Sequence, residues 1–255
     1  MGHWIAFAMQ KGGVGKTTTT INLATALAQR GHQVLVIDSD PQANATTGLG
    51  CDPETCEYSI YEVLLNPEHG VGFATLTTAF GVDLVPSTLA LAGAELELAG
   101  KIGRELLLRK ALRATTRSYD YVLIDPPPSL GLFTLNALVA AETVIVPLQL
   151  HAYALKAMPQ LKATIQLVQD LNPTLTIGGI VCTLADRRTV LSRVVEQQAR
   201  TTYGDLVFPT VIPFNTKVAE SPAAGKPVVV YAPDSPGAEA YTALAAEVEA
   251  RYGAR

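Results

Sequence analysis

Short apolar runs alternate along the chain with longer stretches of helical periodicity. Seven runs of strand length cover residues 4–9, 34–37, 82–85, 121–124, 143–148, 176–182 and 206–212. Between most of them, apolar residues recur on one helical face over residues 18–30, 89–99, 105–117, 130–141, 155–171, 189–203 and 238–252. A run of β-branched residues and leucine such as 34–37 is typical of a strand that is buried on both faces.

This alternation predicts an α/β fold in which a mostly parallel twisted sheet carries helices on both faces. Because no linker, repeat or low-complexity tract interrupts the pattern, one domain over residues 1–255 is expected. In such sheets the ligand lies beyond the carboxyl ends of the strands. Candidate functional residues should therefore follow the apolar runs directly.

Composition narrows the class of protein. Of the 255 residues 48% are apolar and 16% are charged, which favours a large buried core over disorder. The three cysteines have no CxxC spacing, as expected for a reducing cytoplasm. No stretch of 18 apolar residues and no signal-peptide pattern occurs, so neither a membrane span nor export is expected.

A glycine-rich segment joins the first predicted strand to the first predicted helix. It reads Lys11-Gly12-Gly13-Val14-Gly15-Lys16-Thr17-Thr18. Glycines let the backbone curl so that N–H groups point at phosphate oxygens, and the helix N-terminus adds its positive dipole end. Lys16 can then reach the β- and γ-phosphates of a nucleotide, and the Thr17 hydroxyl suits Mg²⁺. The alternative is a glycine turn that carries lysines by chance. The predicted strand before the segment and the predicted helix after it favour the phosphate loop over this alternative.

The segment departs from the ordinary pattern G-x-x-x-x-G-K-[ST], because Gln10 stands where the first glycine would fall. With its second lysine, Lys11, it resembles the deviant Walker A motif of the ParA/MinD ATPases. The resemblance implies ATP and Mg²⁺ as cofactors and catalytic roles for Lys11 and Lys16. It also implies an ATP-dependent homodimer in which Lys11 touches the other subunit's nucleotide, much as an arginine finger does. A solvated loop lysine is the alternative.

Two carboxylates, Asp38 and Asp40, follow the second predicted strand, just before Pro41 and Gln42. Acids at this edge suit the positioning of water and the ordering of a metal, although turn-forming acids before a proline are the alternative. ParA-type proteins carry a similar D-x-D-P-Q segment. The resemblance implies that Asp40 positions the attacking water and that Asp38 supports the loop and the magnesium shell.

A third acid, Asp125, ends the run 121–124 and precedes three prolines. An apolar strand ending in one Asp is the Walker B pattern, in which the acid faces magnesium. The stiff proline segment could act as a switch that senses the γ-phosphate. Its Asp-x-Pro-Pro order resembles the corresponding family motif, which implies a metal site formed by Thr17, Asp38 and Asp125.

Residues 211–222 resemble the V-I-P-x-N-x-x-x-x-E-A-P segment of the family. There the proline and asparagine lie against adenine, which implies nucleotide-binding roles for Pro213 and Asn215. An amide can pair with the adenine edge, so the assignment makes chemical sense. A β-turn at Pro213-Phe214-Asn215 is the alternative.

Basic residues are densest late in the chain and include Arg187, Arg188 and Lys217. Because the net charge is −4, any nucleic-acid contact needs such a local patch. Arg188 matches the arginine of the family's D-x-R-T segment, which contacts DNA, and Lys217 falls where relatives carry arginine. Phe214 replaces another common arginine. The resemblance implies nonspecific DNA binding through Arg188 and Lys217. Arg187 is an extra charge of this chain, to which binding could shift after the loss of arginine at Phe214. Scattered solvated charges on a helix face are the alternative.

Gln10 and the segments 40–46 and 211–222 resemble the small chromosomal ParA (Soj) group. Because the first predicted strand begins within a few residues of Met1, the N-terminal helix-turn-helix domain of large plasmid ParA proteins is not expected here. This implies a cytoplasmic, nucleoid-associated ATPase that segregates chromosomes or plasmids with a ParB-like partner that stimulates hydrolysis.

Three other functions are compatible with a P-loop ATPase of this kind. MinD-type recruitment needs a basic amphipathic last helix, whereas residues 238–252 carry three Glu and one Arg, so no membrane contact is expected. Relatives of the nitrogenase iron protein need cluster cysteines, and Cys51, Cys56 and Cys182 do not stand in the required place. A ParA-like ATPase that positions a protein cargo stays open.

Overall fold

Eight strands form one sheet in the computed structural model, which describes residues 2–152 and 154–253. They are β1 His3–Phe7, β2 Val34–Asp38, β3 Leu76–Thr77, β4 Asp83–Val85, β5 Tyr121–Asp125, β6 Thr143–Gln149, β7 Thr176–Ala185 and β8 Val207–Pro213. Their order across the sheet is β3-β4-β2-β5-β1-β6-β7-β8. All neighbours pair parallel except β3, which runs antiparallel to β4. The predicted α/β fold class is confirmed.

Helices cover both faces of this sheet. They are α1 Lys16–Gln29, α2 Asn44–Gly48, α3 Ile60–Leu65, α4 Leu91–Leu98, α5 Leu107–Ala114, α6 Leu132–Ala140, α7 Met158–Val168, α8 Val190–Tyr203, α9 Thr216–Glu220, α10 Val228–Tyr231 and α11 Pro236–Tyr252. Within the part of the chain that the structure describes, none of them combines the length and the apolar character that crossing a bilayer requires.

The buried residues fall into two cores, one on each face of the sheet. In β1, Ala6 belongs to the core under α3 to α8, whereas Ile5 and Phe7 belong to the core under α1, α10 and α11. Side chains alternate between faces along a strand, so a strand that is buried on both faces must be apolar throughout. This explains the uninterrupted apolar runs of the sequence.

Parallel pairing brings the carboxyl ends of the strands to one edge of the sheet. β2 and β5 are neighbours in a register that sets Asp38 opposite Asp125. β1 is the next strand beyond β5, and the glycine-rich loop follows its carboxyl end. The three predicted motifs therefore meet at this edge.

Several element boundaries differ from the predicted ones for local reasons. α1 begins at Lys16 because Gly15, at φ 89°, turns the chain directly into the helix. α11 begins at Pro236, since Ser235 caps it and proline suits the first turn. The predicted helix 105–117 is a 3-10 turn, Arg104–Leu106, followed by the shorter α5.

Candidate nucleotide site at the carboxyl edge of the sheet

A cavity of about 570 Å³ opens at the carboxyl edge of the sheet. It is lined by Gly12, Gly13, Gly15, Lys16, Thr17, Thr18, Ile21, Asp40, Gln42, Asn44, Thr47, Pro128 and Pro222. Its volume lies in the range of small-molecule sites. The cavity therefore brings together most of the predicted phosphate loop, the predicted water-positioning Asp40 and the proline segment after β5.

The phosphate loop has the backbone conformation that its glycines allow. Gly13 and Gly15 have φ values of 73° and 89°, in the left-handed region that side chains with a Cβ rarely enter. The Thr183 hydroxyl of β7 donates to the Val14 carbonyl at 2.8 Å and ties the loop to the sheet. The first N–H groups of α1 have no partner within the helix, so this curl offers several donors to an anion.

Lys16 is buried at the base of the cavity, with 7% of its surface exposed. Burial lowers the pKa of its ammonium, and the charges of Asp125 and Asp40 oppose that shift. A buried cation needs a nearby anion to compensate for lost hydration. Nucleotide phosphates in the cavity would supply negative charge to the same group, as expected for the predicted role.

Asp125 has the chemistry of a magnesium site. One of its carboxylate oxygens, Oδ1, accepts a hydrogen bond from the Thr20 hydroxyl at 3.3 Å. The other, Oδ2, is buried and has no hydrogen-bond partner within the described residues. Burial raises the pKa of Asp125 to about 6, an effect opposed by the Thr17 hydroxyl and the Lys16 ammonium. A cation beside this oxygen and the Thr17 hydroxyl would satisfy both groups.

No set of three or more His, Cys, Asp or Glu side chains within residues 2–152 and 154–253 could hold a metal by itself. Mg²⁺ normally binds through one or two carboxylates together with waters and substrate phosphates. Thr17 and Asp125 fit that pattern, so ATP and magnesium would bind here together.

Asp38 is fully buried, and its oxygens are occupied by protein donors. Oδ2 accepts the backbone N–H and the hydroxyl of Thr46 at 2.8 and 2.7 Å, and Oδ1 accepts the Asp40 N–H at 3.2 Å. Burial and then the neighbouring Asp125 charge raise its pKa to about 7, against the Thr46 bonds. The Thr46 hydroxyl also accepts the Ser87 N–H at 2.9 Å. Asp38 thus anchors the loop after β2, while its predicted contact with the magnesium shell stays a prediction.

Asp40 lies in a tight turn at the wall of the cavity. It is 8% exposed, and its Oδ1 accepts the Gln42 N–H at 3.0 Å. Ala43 follows with φ 52°, a conformation that is uncommon for a residue other than glycine. The carboxylate is positioned beside the space for phosphates, as a water-orienting group must be.

Lys11 does not line the cavity of its own chain. It is exposed, and its Nζ donates to Gln149 Oε1 at 3.0 Å. The side chain is therefore tethered to the end of β6, at the same edge of the sheet as the phosphate loop. This position leaves the predicted contact with a second subunit sterically open.

Pro213 and Asn215 also lie outside the cavity lining. Asn215 caps α9, with Oδ1 accepting from Lys217 N at 3.0 Å and Val218 N at 3.4 Å. Capping uses the carbonyl oxygen and leaves the amide N–H₂ for other contacts. Further along the same segment, Pro222 does line the cavity.

The predicted DNA-binding residues are exposed on and near α8 and α9. Arg188 is paired with Asp186, with Nη2 at 2.8 Å and Nε at 2.9 Å from its oxygens, although 84% of its side chain is exposed. Lys217 pairs with Glu220 at 2.8 Å. Asp186 and Glu220 therefore offset much of the positive charge of the predicted DNA-binding patch. Arg187, next to Arg188 in the chain, is exposed.

Four further residues line the cavity although no sequence motif assigned them a role in the site: Gln42, Asn44, Thr47 and Pro128. Gln42 and Asn44 stand within the segment after β2 that resembled the family motif, and Pro128 belongs to the proline run after Asp125. Their proximity to known motifs was the available signal. Their side-chain directions depend on the turn at Asp40 and on α2, which no periodicity revealed.

The chain is similar to known proteins over nearly its whole length. Residues 2–177 match the family model described as AAA domain. The chain is 46% identical to the sporulation initiation inhibitor protein Soj of Bacillus subtilis, over 98% of this chain and 99% of that protein. It is 49% identical to the chromosome-partitioning ATPase Soj of Thermus thermophilus, over 97% and 95%. A crystal structure of cobyrinic acid a,c-diamide synthase from Mycobacterium smegmatis with bound ATP analog and magnesium superposes with TM-score 0.85 at 38% identity, covering 100% and 98%.

Proposed function

The chain belongs to the ParA/Soj family of P-loop ATPases, and on this basis we propose that it is an ATP-driven switch for chromosome or plasmid partition. In this proposal ATP and Mg²⁺ bring two copies together, the dimer binds DNA without sequence preference, and hydrolysis ends the dimer. The observation that carries it is the shared cavity of the phosphate loop and Asp40, beside the buried Asp125.

ATP binding depends on the phosphate loop, and ATP hydrolysis depends on the carboxylates. Backbone N–H groups of residues 12–17 and the Lys16 ammonium hold the phosphates, while Thr17 and Asp125 hold Mg²⁺, which offsets phosphate charge. Asp40 orients a water towards the γ-phosphate. The carboxylate is buried and accepts the Gln42 N–H, which supports this role because a positioned base needs little reorganisation.

Dimer formation rests on Lys11. Its exposed position beside Gln149, outside the cavity of its own chain, suits a cation that reaches across an interface. A second copy facing this edge would place one Lys11 near each nucleotide. ATP would then stabilise the dimer, because its terminal phosphate adds charge for the opposing lysine to neutralise.

DNA binding would use Arg187, Arg188 and Lys217 of both subunits. One chain offers few uncompensated charges there, because Asp186 and Glu220 pair with Arg188 and Lys217. Two subunits double the patch, and phosphates can compete for these exposed pairs, whose own stability is small. A ParB-like protein would act as the partner that stimulates hydrolysis.

A related ATPase that positions a membrane or protein cargo is the second candidate, since the nucleotide chemistry would be the same. The 46% and 49% identities with Soj proteins favour partition. In α11, Glu239, Glu247 and Glu249 stand against Arg251, a charge pattern that does not favour an anionic membrane.

The test is titration of random duplex DNA with wild type and with the double variant Arg188→Ala/Lys217→Ala, with and without ATP, at several salt concentrations. We expect ATP-dependent binding whose log–log salt slope is roughly −0.9 per phosphate neutralised. The double variant should bind more weakly with a shallower slope. Equal affinity and slope for both proteins, or wild-type binding that ignores ATP, would contradict the proposal.

A further inference from the structure

A second cavity, of about 490 Å³, lies at the opposite edge of the sheet, where the strands begin. We call it the amino-edge cavity. Its lining is Gly2, Trp4, Gln33, Leu112, Arg113, Thr115, Arg117, Ser118, Tyr119, Asp120 and Val122. Gly2, Gln33 and Asp120 immediately precede β1, β2 and β5, so this cavity is separated from the nucleotide site by the length of the strands.

The floor and the rim of the amino-edge cavity differ in chemistry. Trp4, Leu112 and Val122 give an aromatic and aliphatic floor that belongs to the core on that face of the sheet. Arg113 and Arg117 stand at the rim and are exposed. Ligand sites typically combine such an apolar surface with a few polar groups that fix orientation.

Arg117 is held in place by its neighbours. Its Nη1 lies 2.5 Å from Asp83 Oδ2, and its guanidinium lies over the Tyr119 ring at 5.3 Å from the centroid. The Tyr119 hydroxyl donates to the same Asp83 oxygen at 2.9 Å. A guanidinium carries five N–H donors, so the remaining ones stay available in a fixed orientation.

The charge of Arg113 is less compensated than that of Arg117. Among the described residues no carboxylate lies within ion-pair distance of Arg113 or Lys110. Arg109 is a further neighbour, and its pKa is lowered by burial and by the Arg113 charge. The acid in the lining is Asp120. Its Oδ2 already accepts the Gln33 N–H at 2.8 Å and lies 3.7 Å from His32 Nδ1. Because Asp83 already pairs with Arg117, the uncompensated cation at the rim is Arg113.

We propose that the amino-edge cavity binds a nucleoside phosphate, either free or as a unit of a single strand of nucleic acid. The ring lies against the Trp4 floor, and the phosphate accepts from Arg113 and Arg117. Aromatic floors bind every base because each has a π-face, and arginines bind phosphate through paired N–H groups. β1 and β5 run from this cavity to the phosphate loop and to Asp125.

Trp4 makes the proposal directly testable, because it is the one tryptophan in the sequence and its fluorescence reports on the cavity. Wild type is first saturated with ADP and Mg²⁺ to fill the phosphate loop. AMP and a short oligothymidylate are then titrated separately. We expect a saturable change in Trp4 emission with at least one of them. A response to AMP means that the cavity binds a free nucleotide. A response to the oligonucleotide alone means that it binds a nucleotide within a single strand.

The matched variants are Arg113→Gln and Arg193→Gln, which change exposed arginines on α5 and α8. Loss of a charge-assisted phosphate bond should raise the Kd of Arg113→Gln at least about tenfold, with Arg193→Gln like wild type. Emission that changes with neither ligand at millimolar concentration overturns the proposal. So does an equal Kd for Arg113→Gln and wild type. Neither result depends on dimerisation or duplex binding.

Discussion

Thr46→Val tests the anchor of the loop that carries Asp40. The Thr46 hydroxyl donates to Asp38 Oδ2 at 2.7 Å and accepts from the Ser87 N–H at 2.9 Å, and all three residues are buried. Valine has nearly the same shape, so the substitution removes both bonds without opening a large cavity. An unpaired buried group costs about 1–3 kcal/mol, and a bond to a charged group contributes about 1.5–3 kcal/mol. Added together, these two terms predict a loss of about 2.5–6 kcal/mol of unfolding free energy for the variant.

The assay is urea denaturation of the ligand-free protein, followed by circular dichroism, at a pH above the raised Asp38 pKa of about 7 so that the carboxylate is ionised. Thr47→Val is the matched control, because Thr47 is the adjacent residue of the same helix and is exposed. Its unfolding free energy should stay within about 0.5 kcal/mol of wild type. If Thr46→Val and Thr47→Val unfold at the same urea concentration, the hydrogen bonds of Thr46 do not anchor this loop, and the reasoning fails.

Three further predictions concern charge. Lys16→Ala should abolish ATP binding in calorimetry, and near-normal affinity would remove the phosphate-loop assignment. Asp186→Asn removes the negative charge that pairs with Arg188 and should tighten duplex DNA binding in the presence of ATP; unchanged affinity would mean that this ion pair does not limit the contribution of Arg188. The pKa of Asp38 is raised to about 7 by burial and by the Asp125 charge, whereas unfolded aspartate titrates near ~3.9. The folded state therefore binds protons more tightly, so the Tm of the ligand-free protein should fall as pH rises from about 4 through 7. Asp38→Asn should flatten that slope, and an unchanged slope in thermal melts would refute this origin.

The sheet was predictable because seven of its eight strands are buried, apolar and bounded by turns. β3 escaped prediction because it has two residues, both exposed, and depends on its pairing with β4. α3 was also missed, although Ser59 and Glu62 form a capping box that the sequence contains. Short elements of this kind owe their stability to tertiary contacts more than to propensity.

The phosphate loop and the three acids were predictable because each directly follows a strand. The role of Asp38 as an anchor was not, because it depends on Thr46, whose hydroxyl donates to Asp38 and accepts from the Ser87 N–H on another loop. The acids that pair with Arg188 and Lys217 are close in sequence, yet composition alone does not say which charges meet. Side-chain direction in turns and loops decides such pairing, and periodicity carries no information about it.

Light scattering of Asp40→Ala shows whether ATP brings two copies of the chain together. With ATP and Mg²⁺ the variant should bind nucleotide, hydrolyse it very slowly and reach twice the 27.0 kDa mass of one chain. Adding Lys11→Ala should keep ATP bound but return the mass to one chain. An ATP-bound Asp40→Ala protein that stays at 27.0 kDa, or a Lys11→Ala variant that dimerises as well as Asp40→Ala alone, would contradict the account.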